Sequence, residues 1–192
     1  METATAPPSR DAAASGTGST TIADLLPLAA QRHAELKAVT YKDPSGQWVS
    51  KTYREVGEIV QRLSLGLIDL GVQTGDKVSI LANTRPEWTY FDFAALTAGA
   101  TVVPIYQTNS AQECEYVLEN SDAKILIVED SEQLEKVREV RDRLPKLEHV
   151  ILIEGSSDDA ISMEALAVRG AERPSSEWEQ RWSSVGSDDV CT

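Results

Sequence analysis

Apolar residues recur every three or four positions along the stretch that follows Thr52, a pattern that predicts an amphipathic helix. One face of this helix carries Val56, Ile59, Val60, Leu63, Leu67 and Leu70. Thr52 and Glu55 form a T-x-x-E capping box at its start. Gly71 predicts its end, because glycine readily adopts the left-handed conformation that closes a helix.

Short apolar runs alternate with helical patterns through the middle of the chain. Strands are predicted within residues 75–83, 100–106, 124–130 and 149–155, and helices within residues 84–99, 111–119 and 132–144. A second T-x-x-E box, Thr84 with Glu87, predicts the start of the first of these helices, and Gly99 predicts its end. Because parallel strands need crossover connections, the alternation predicts an α/β fold, a parallel sheet with helices on both faces.

The flanking segments carry less regular patterns. A helix is predicted over residues 21–33, and Pro27 is expected to kink it or to move its start. The predicted core face of this helix consists of Ile22, Leu25, Leu26 and Ala29. Two short strands are predicted over residues 37–41 and 47–53, and two further helices over residues 162–170 and 175–182. Residues 190–192 read as the first residues of a buried strand.

Residues 1–20 are small, polar and rich in proline and glycine. The segment SGTGSTT superficially resembles a phosphate-binding loop, but no strand precedes it and no lysine closes it. Such a segment buries too little apolar surface to offset the entropy of ordering. We therefore predict a disordered tail over residues 1–20 and one folded unit over residues 21–192.

Composition narrows the function classes. The chain has 192 residues and a formal net charge of −13, and an acidic surface repels phosphate backbones, which disfavours nucleic-acid binding. No apolar run approaches the ~20 residues of a membrane span, and the start of the chain lacks a secretory pattern. The two cysteines show no metal spacing, and two histidines are too few for a histidine-rich metal site. We predict a cytoplasmic protein with no metal site in this chain.

The familiar nucleotide and nucleophile motifs are absent. The sequence contains no G-x-x-x-x-G-K-[ST] loop, no glycine-rich turn after the first parallel strand, and no G-x-S-x-G elbow. Cys114 and Cys191 have no activating base nearby in sequence, so both are predicted to be small core residues. No catalytic residue is predicted within this chain.

One loop remains as a candidate binding site. Ligands of doubly wound sheets bind outside the carboxyl ends of the strands, and residues 106–110 follow a predicted strand and precede a predicted helix. Gln107, Thr108, Asn109 and Ser110 offer hydrogen-bonding groups there. The alternative is a plain strand-to-helix loop with Ser110 as the helix N-cap, and geometry alone favours this alternative.

Three segments in this order resemble a known family: KTYREV, then GLIDLGVQTGDKVSILANTRPEW, then ALTAGATVVPIYQTNSAQECEYVLENSDAKILIVED. They are similar to the N-terminal part of the AMP-forming acyl-CoA synthetases, in the long-chain fatty-acid–CoA ligase branch of the adenylate-forming enzymes. The resemblance covers about residues 21–192. It implies an incomplete N-terminal part of a larger adenylate-forming domain.

The resemblance also implies a reaction and its participants. Such enzymes join a fatty-acid carboxylate to the α-phosphate of ATP, which enters with Mg²⁺, and CoA then displaces AMP from the acyl-adenylate. In the family pattern the lysine-bearing phosphate loop follows a few residues beyond Thr192, so the present piece is predicted to be inactive. By the same resemblance Tyr106, Gln107 and Thr108 lie near the CoA or acyl path. Peripheral membrane association and self-association of the piece are further expectations.

Two other functions stay open at this point. The chain could be a stand-alone α/β binding or regulatory module that uses the same scaffold without catalysis. It could also be an unrelated nucleotide-binding enzyme, although the missing glycine-rich turn argues against that. The coding sequence after Thr192 would separate the synthetase from the module, because only the synthetase requires a following Ser/Thr/Gly-rich loop with lysine.

Overall fold

The computed structural model describes residues 16–192, which contain seven α-helices and seven strands. In chain order these are α1 (Ile22–Arg32), β1 (Lys37–Lys42), β2 (Trp48–Thr52), α2 (Tyr53–Asp69), β3 (Lys77–Leu81), α3 (Pro86–Thr97), β4 (Thr101–Ile105), α4 (Ala111–Ser121), β5 (Ile125–Val128), α5 (Ser131–Val140), β6 (His149–Leu152), β7 (Ile161–Ser162), α6 (Met163–Ala171) and α7 (Ser175–Ser183). A 3₁₀ turn (Arg141–Arg143) follows α5.

The predicted α/β fold is confirmed. Five strands form one parallel sheet in the order β4-β3-β5-β6-β7, while β1 and β2 form a separate antiparallel pair. Alternate residues of the sheet contact opposite helical layers, as β5 illustrates with Ile127 on one side and Leu126 on the other. Helices α1, α2, α3, α6 and α7 cover the first face, and α4 and α5 cover the second. Burial on both faces explains why these strands read as continuous apolar runs.

The best-patterned helix begins and ends where the sequence predicts. At the start of α2 the Thr52 amide donates to Glu55 Oε2 at 2.7 Å, and the Glu55 amide donates to Thr52 Oγ1 at 3.3 Å. This is the reciprocal capping box. Gly71 follows the last turn with φ +90°, and Val72 packs back into the core with its side chain fully buried.

The start of α3 differs from the prediction. Thr84 and Glu87 form no capping box, because Arg85 is the N-cap residue, without a side-chain cap, and Pro86 takes the first helical position. Proline is preorganised for that position and lacks the N–H that a cap would satisfy. The shift of one residue leaves Glu87 free to accept a hydrogen bond from Arg85 Nε at 2.7 Å. The predicted end at Gly99 is confirmed, with φ +78°.

Helix α1 begins at Ile22 and contains Pro27, so the proline does not move the start. Its predicted core face is only partly right, since Leu26 and Ala29 are buried whereas Ile22 and Leu25 are 48% and 40% exposed. The two exposed side chains line an open groove rather than the core.

The predicted tail falls largely on residues 1–15, which lie outside the described residues. Of the remaining tail residues, Ser19 and Thr20 hydrogen-bond to the Asp24 carboxylate. They therefore form part of the α1 N-terminus in the described structure.

The last helices complete the first layer. The two-residue strand β7 occupies Ile161 and Ser162, where the sequence predicts the start of a helix; α6 begins one residue later with Ser162 as N-cap. In α7, Trp178 is 8% exposed and packs edge-to-face on Trp182, so the two tryptophans anchor this helix to the core. Arg181 adds hydrogen bonds to two loop carbonyls, those of Val72 and Ala98, at 3.1 Å each.

The predicted strand over residues 190–192 is not formed as a strand in the described structure. Two hydrogen bonds nevertheless join this segment to the outer edge of β4. The Val102 amide donates to the Cys191 carbonyl oxygen at 2.9 Å, and Thr101 Oγ1 donates to the Val190 carbonyl oxygen at 2.8 Å. Among the described helices, none is both long enough and apolar enough to cross a bilayer.

Candidate functional site

The parallel strands β3, β4, β5 and β6 point the same way, so the segments that follow them meet at one edge of the sheet. These segments are residues 82–85, 106–110, 129–130 and 153–155. Open α/β sheets bind ligands at such a carboxyl edge. This edge is therefore the candidate functional site, and it includes the three predicted site residues.

The loop after β4 carries Tyr106, Gln107 and Thr108. Tyr106 is 78% exposed, and Thr108 is also exposed. The Asn109 amide donates to the Tyr106 carbonyl oxygen at 3.0 Å, which closes a tight turn around Gln107 and Thr108. The turn presents these side chains to solvent at the sheet edge.

Ser110 ends this loop as the N-cap of α4, as predicted. Its amide donates to Glu113 Oε2 at 2.7 Å, and the Glu113 amide donates to Ser110 Oγ at 3.3 Å. The backbone and hydroxyl hydrogen bonds from Ser110 hold the pKa of Glu113 below its usual range. Both side chains are thus engaged in capping the helix, which leaves residues 106–109 as the part of the loop open to a ligand.

Lys136 on α5 contacts the same loop, and sequence reasoning missed this contact. Its Nζ donates a hydrogen bond to the Gln107 carbonyl oxygen at 2.7 Å. The sequence places Lys136 among alternating acids and bases, a pattern typical of a solvated helix face. Neighbours such as Arg138 follow that interpretation, because Arg138 pairs with Asp159 and Glu135.

Cys114 lies near the start of α4 and is fully buried, which confirms its prediction as a core residue. Burial raises the pKa of its thiol, and the nearby Lys136 amine opposes this shift only in part. A buried thiol with a raised pKa is a poor nucleophile. Cys191 is partly exposed and packs against the first core layer.

A charged cluster occupies the neighbouring strand ends. Arg85 contacts three carboxylates: Glu87 at 2.7 Å, Glu129 at 3.2 Å and Glu154 at 2.6 Å. Glu129 also accepts hydrogen bonds from the Asn83 amide and side chain at 2.6 and 2.8 Å. Burial lowers the pKa of Arg85, but the hydrogen bonds to Glu87 and Glu154 outweigh it and hold the pKa above its usual range.

This cluster ties the ends of β3, β5 and β6 together. Glu87 and Glu129 are largely shielded from solvent and hydrogen-bonded to Arg85 or Asn83, whereas Glu154 pairs with Arg85 at a mostly exposed position. Within residues 16–192 no group of three or more His, Cys, Asp or Glu side chains is arranged to hold a metal ion. The arrangement can position loops at the sheet edge, and its charged groups are already paired.

Comparisons with known proteins agree on one family. The AMP-binding enzyme family matches residues 26–192. The long-chain-fatty-acid–CoA ligase FadD15 of Mycobacterium bovis is 38% identical over 147 residues, which are 77% of this chain and 24% of that protein. The long-chain-fatty-acid–CoA ligase heimdall of Drosophila melanogaster is 35% identical over 138 residues, 70% of this chain and 20% of that protein.

Solved structures share the fold. The anthranilate CoA ligase AuaEII in complex with anthranoyl-AMP is 27% identical with a TM-score of 0.69, covering 80% of this chain and 28% of that one. A Mycobacterium tuberculosis fatty acyl CoA synthetase is 25% identical with a TM-score of 0.64, covering 81% and 29%. The chain spans about a quarter of the length of the curated relatives that it matches. The family match over residues 26–192, together with the parallel sheet, shows that this chain belongs to the AMP-binding enzyme family.

Proposed function

We propose that this chain is the N-terminal part of a long-chain fatty-acid–CoA ligase. The observation that carries the proposal is the 38% identity over 147 residues to a protein of that name. In the proposed reaction a fatty-acid carboxylate oxygen attacks the α-phosphorus of ATP, and pyrophosphate leaves. The CoA thiolate then attacks the carbonyl carbon of the acyl-adenylate, and AMP leaves.

The residues of this chain support the reaction without carrying out its chemistry. We propose that Tyr106, Gln107 and Thr108 border the CoA or acyl path, because their turn is exposed at the carboxyl edge of the sheet. The Arg85 cluster holds the adjoining strand ends in place. Each of the three carboxylates of the cluster is hydrogen-bonded within the described residues, and we assign them no catalytic role.

The nucleotide phosphates require other groups. Backbone amides, a lysine and Mg²⁺ typically offset the charge that develops in such transfers. The sequence has no glycine-rich loop that ends in lysine, and the described residues do not fit a metal site of three protein ligands. We therefore assign no step to Mg²⁺ here and propose that residues 1–192 alone are inactive.

The proposed location is the cytoplasm. The free thiols of Cys114 and Cys191 fit this location. An association with membrane surfaces stays a prediction.

The experiment compares the complete protein that contains this chain with the 192-residue chain. Fatty-acid-dependent pyrophosphate exchange measures the first step, and acyl-CoA formation measures both. We expect activity with a long-chain fatty acid and little with acetate in the complete protein, and none in the 192-residue chain. A complete protein that binds fatty acid or CoA but forms no acyl-adenylate would refute the proposal in favour of a binding module. Exchange above background in the isolated chain would refute its inactivity.

A further inference from the structure

Lys136 joins two segments that are distant in sequence. It lies on α5, and the loop residue that it contacts, Gln107, is 29 positions away. The hydrogen bond from Nζ to the Gln107 carbonyl oxygen is 2.7 Å long and partly buried. A charged donor makes a stronger hydrogen bond than a neutral one, and partial burial reduces its screening by salt. The contact is therefore a substantial restraint on the loop.

The amine takes this partner although carboxylates are closer in sequence. Glu132 and Glu139 stand four residues before and three residues after Lys136 on α5, the spacing of helix ion pairs. Within residues 16–192 Lys136 forms an ion pair with neither of them, and the Gln107 carbonyl is its one hydrogen-bond acceptor. The packing of α5 against α4 thus directs the amine to the loop.

Few other contacts hold the turn. The Asn109–Tyr106 backbone hydrogen bond closes it from within, and the Ser110–Glu113 box fixes only its far end. Among the described residues, no side chain other than Lys136 hydrogen-bonds to residues 106–109. The side chains of Tyr106 and Thr108 project into solvent and restrain nothing.

We infer that Lys136 is a positioning residue for the loop at the carboxyl end of β4. Its amine holds the Gln107 carbonyl against α5 and so sets where Tyr106, Gln107 and Thr108 stand at the sheet edge. Lys136 touches no reacting atom in this assignment. The structural part of the inference concerns the loop alone, whereas its consequence for substrate binding rests on the proposed function.

Amide hydrogen exchange of the 192-residue chain tests the structural part. In Lys136→Met the Asn109 amide should exchange about tenfold faster than in wild type, which corresponds to about 1.4 kcal/mol. Lys136→Arg keeps a charged donor and should restore slow exchange. The matched control is Lys146→Met, which removes an exposed lysine away from the loop. The Nζ atom of Lys146 pairs with the Asp122 carboxylate at 2.7 Å. Wild-type exchange at Asn109 in Lys136→Met would overturn the inference.

A second amide separates loop loosening from general destabilisation. The Ile127 amide lies in the buried centre of β5 and should exchange at its wild-type rate in Lys136→Met. Equal acceleration at Ile127 and Asn109 would show that the substitution weakens the whole fold, and would also overturn the inference.

Steady-state kinetics of the complete protein test the functional part. Lys136→Met should raise KM for CoA or for the fatty acid about fivefold while kcat and KM for ATP change less than about twofold. If the complete protein has no ligase activity, the proposed function fails, and the exchange data still decide the role of Lys136 in the loop. If it is active and Lys136→Met leaves every kinetic constant unchanged, the positioning role is refuted.

Discussion

Gly170 on α6 lies directly against the backbone of Gly66 on α2. A Cβ atom on Gly170 would stand 2.7 Å from the Gly66 amide nitrogen and closer still to the carbonyl oxygen of Arg62. A Cβ atom on Gly66 would likewise meet Leu166. Because neither glycine has a side chain, α2 and α6 can approach closely at this crossing. The two helices together cover part of one face of the sheet.

Gly170→Ala should therefore destabilise the fold. Alanine gains about 1 kcal/mol over glycine in a helix, but the added methyl would collide with backbone atoms that cannot rotate away. Such overpacking costs about 1–3 kcal/mol, and more where backbone must move, so we expect a net loss of about 2 kcal/mol in the free energy of unfolding. Urea denaturation measures it, with Gly186→Ala as control because an added Cβ there meets only Asp189 Oδ2 at 3.7 Å. An unchanged midpoint for Gly170→Ala would contradict the close crossing.

Local signals in the sequence were enough for most elements. The T-x-x-E box at Thr52 and the glycine at position 71 mark the ends of α2 because caps depend on residues a few positions apart. The box predicted at Thr84 fails for an equally local reason, since Pro86 takes the first helical position. Strand β7 was missed because two residues are too few to show a period.

Tertiary relationships were beyond sequence reasoning. Periodicity identified an apolar face on α1 but not that Ile22 and Leu25 would border an open groove. The loop after β4 was located from the strand-to-helix order, whereas its contact with Lys136 depends on how α5 packs beside it. The hydrogen bond from Asn83 to Glu129 joins residues 46 positions apart. These residues meet because β3 and β5 are neighbours in the sheet, an order that the sequence does not predict.

The N-terminal boundary of the folded unit can be tested by truncation. Burial raises the pKa of Asp24, but hydrogen bonds from Ser19 and from the Thr20 and Thr21 backbone outweigh it and hold the pKa below its usual 3.8. Deleting residues 1–15 should leave the free energy of unfolding unchanged. Deleting residues 1–20 removes two of these donors and should cost about 1–2 kcal/mol at neutral pH.

The pH dependence of that difference provides the control. A carboxyl whose pKa is lower in the folded state stabilises the fold above its unfolded pKa, and this contribution disappears as the pH falls through the folded value. The difference in stability between the two truncated proteins should therefore shrink as the pH falls below 3.8, the usual pKa of the carboxyl. A constant difference at all pH values would show that Asp24 is not the cause, and equal stability at neutral pH would move the boundary beyond residue 20.

Asp92 on α3 should make the protein less stable as the pH rises from acid to neutral. Burial raises the pKa of its carboxyl from 3.8 to about 6, and no hydrogen bond to it occurs within the described residues. Below about pH 4 the Asp92 carboxyl is protonated in both the folded and the unfolded chain. Between about pH 4 and 6 it ionises in the unfolded chain but stays protonated in the folded one, so the free energy of unfolding falls by at most about 3 kcal/mol. Asp92→Asn should be more stable than wild type above pH 6 and similar to it at pH 4.

Denaturation midpoints at pH 4 and pH 7 check this expectation. Asp158→Asn serves as the control, because it makes the same carboxyl-to-amide change at an exposed position. If Asp92→Asn and wild type differ by the same amount at both pH values, the carboxyl does not titrate in this range.

The isolated chain should bind a hydrophobic dye and self-associate. Ile22, Leu25 and Val190 are 48%, 40% and 70% exposed and lie along a groove of about 410 Å³ between α1 and residues 185–191. Contiguous exposed apolar surface favours association with other apolar surfaces. Replacing both Ile22 and Leu25 by serine should lower dye fluorescence and shift size-exclusion elution towards the monomer, whereas Val168→Ser removes an exposed apolar side chain from α6 and should change neither. A sharp monomer peak without dye signal in the wild-type chain would contradict the prediction and favour a self-sufficient binding module.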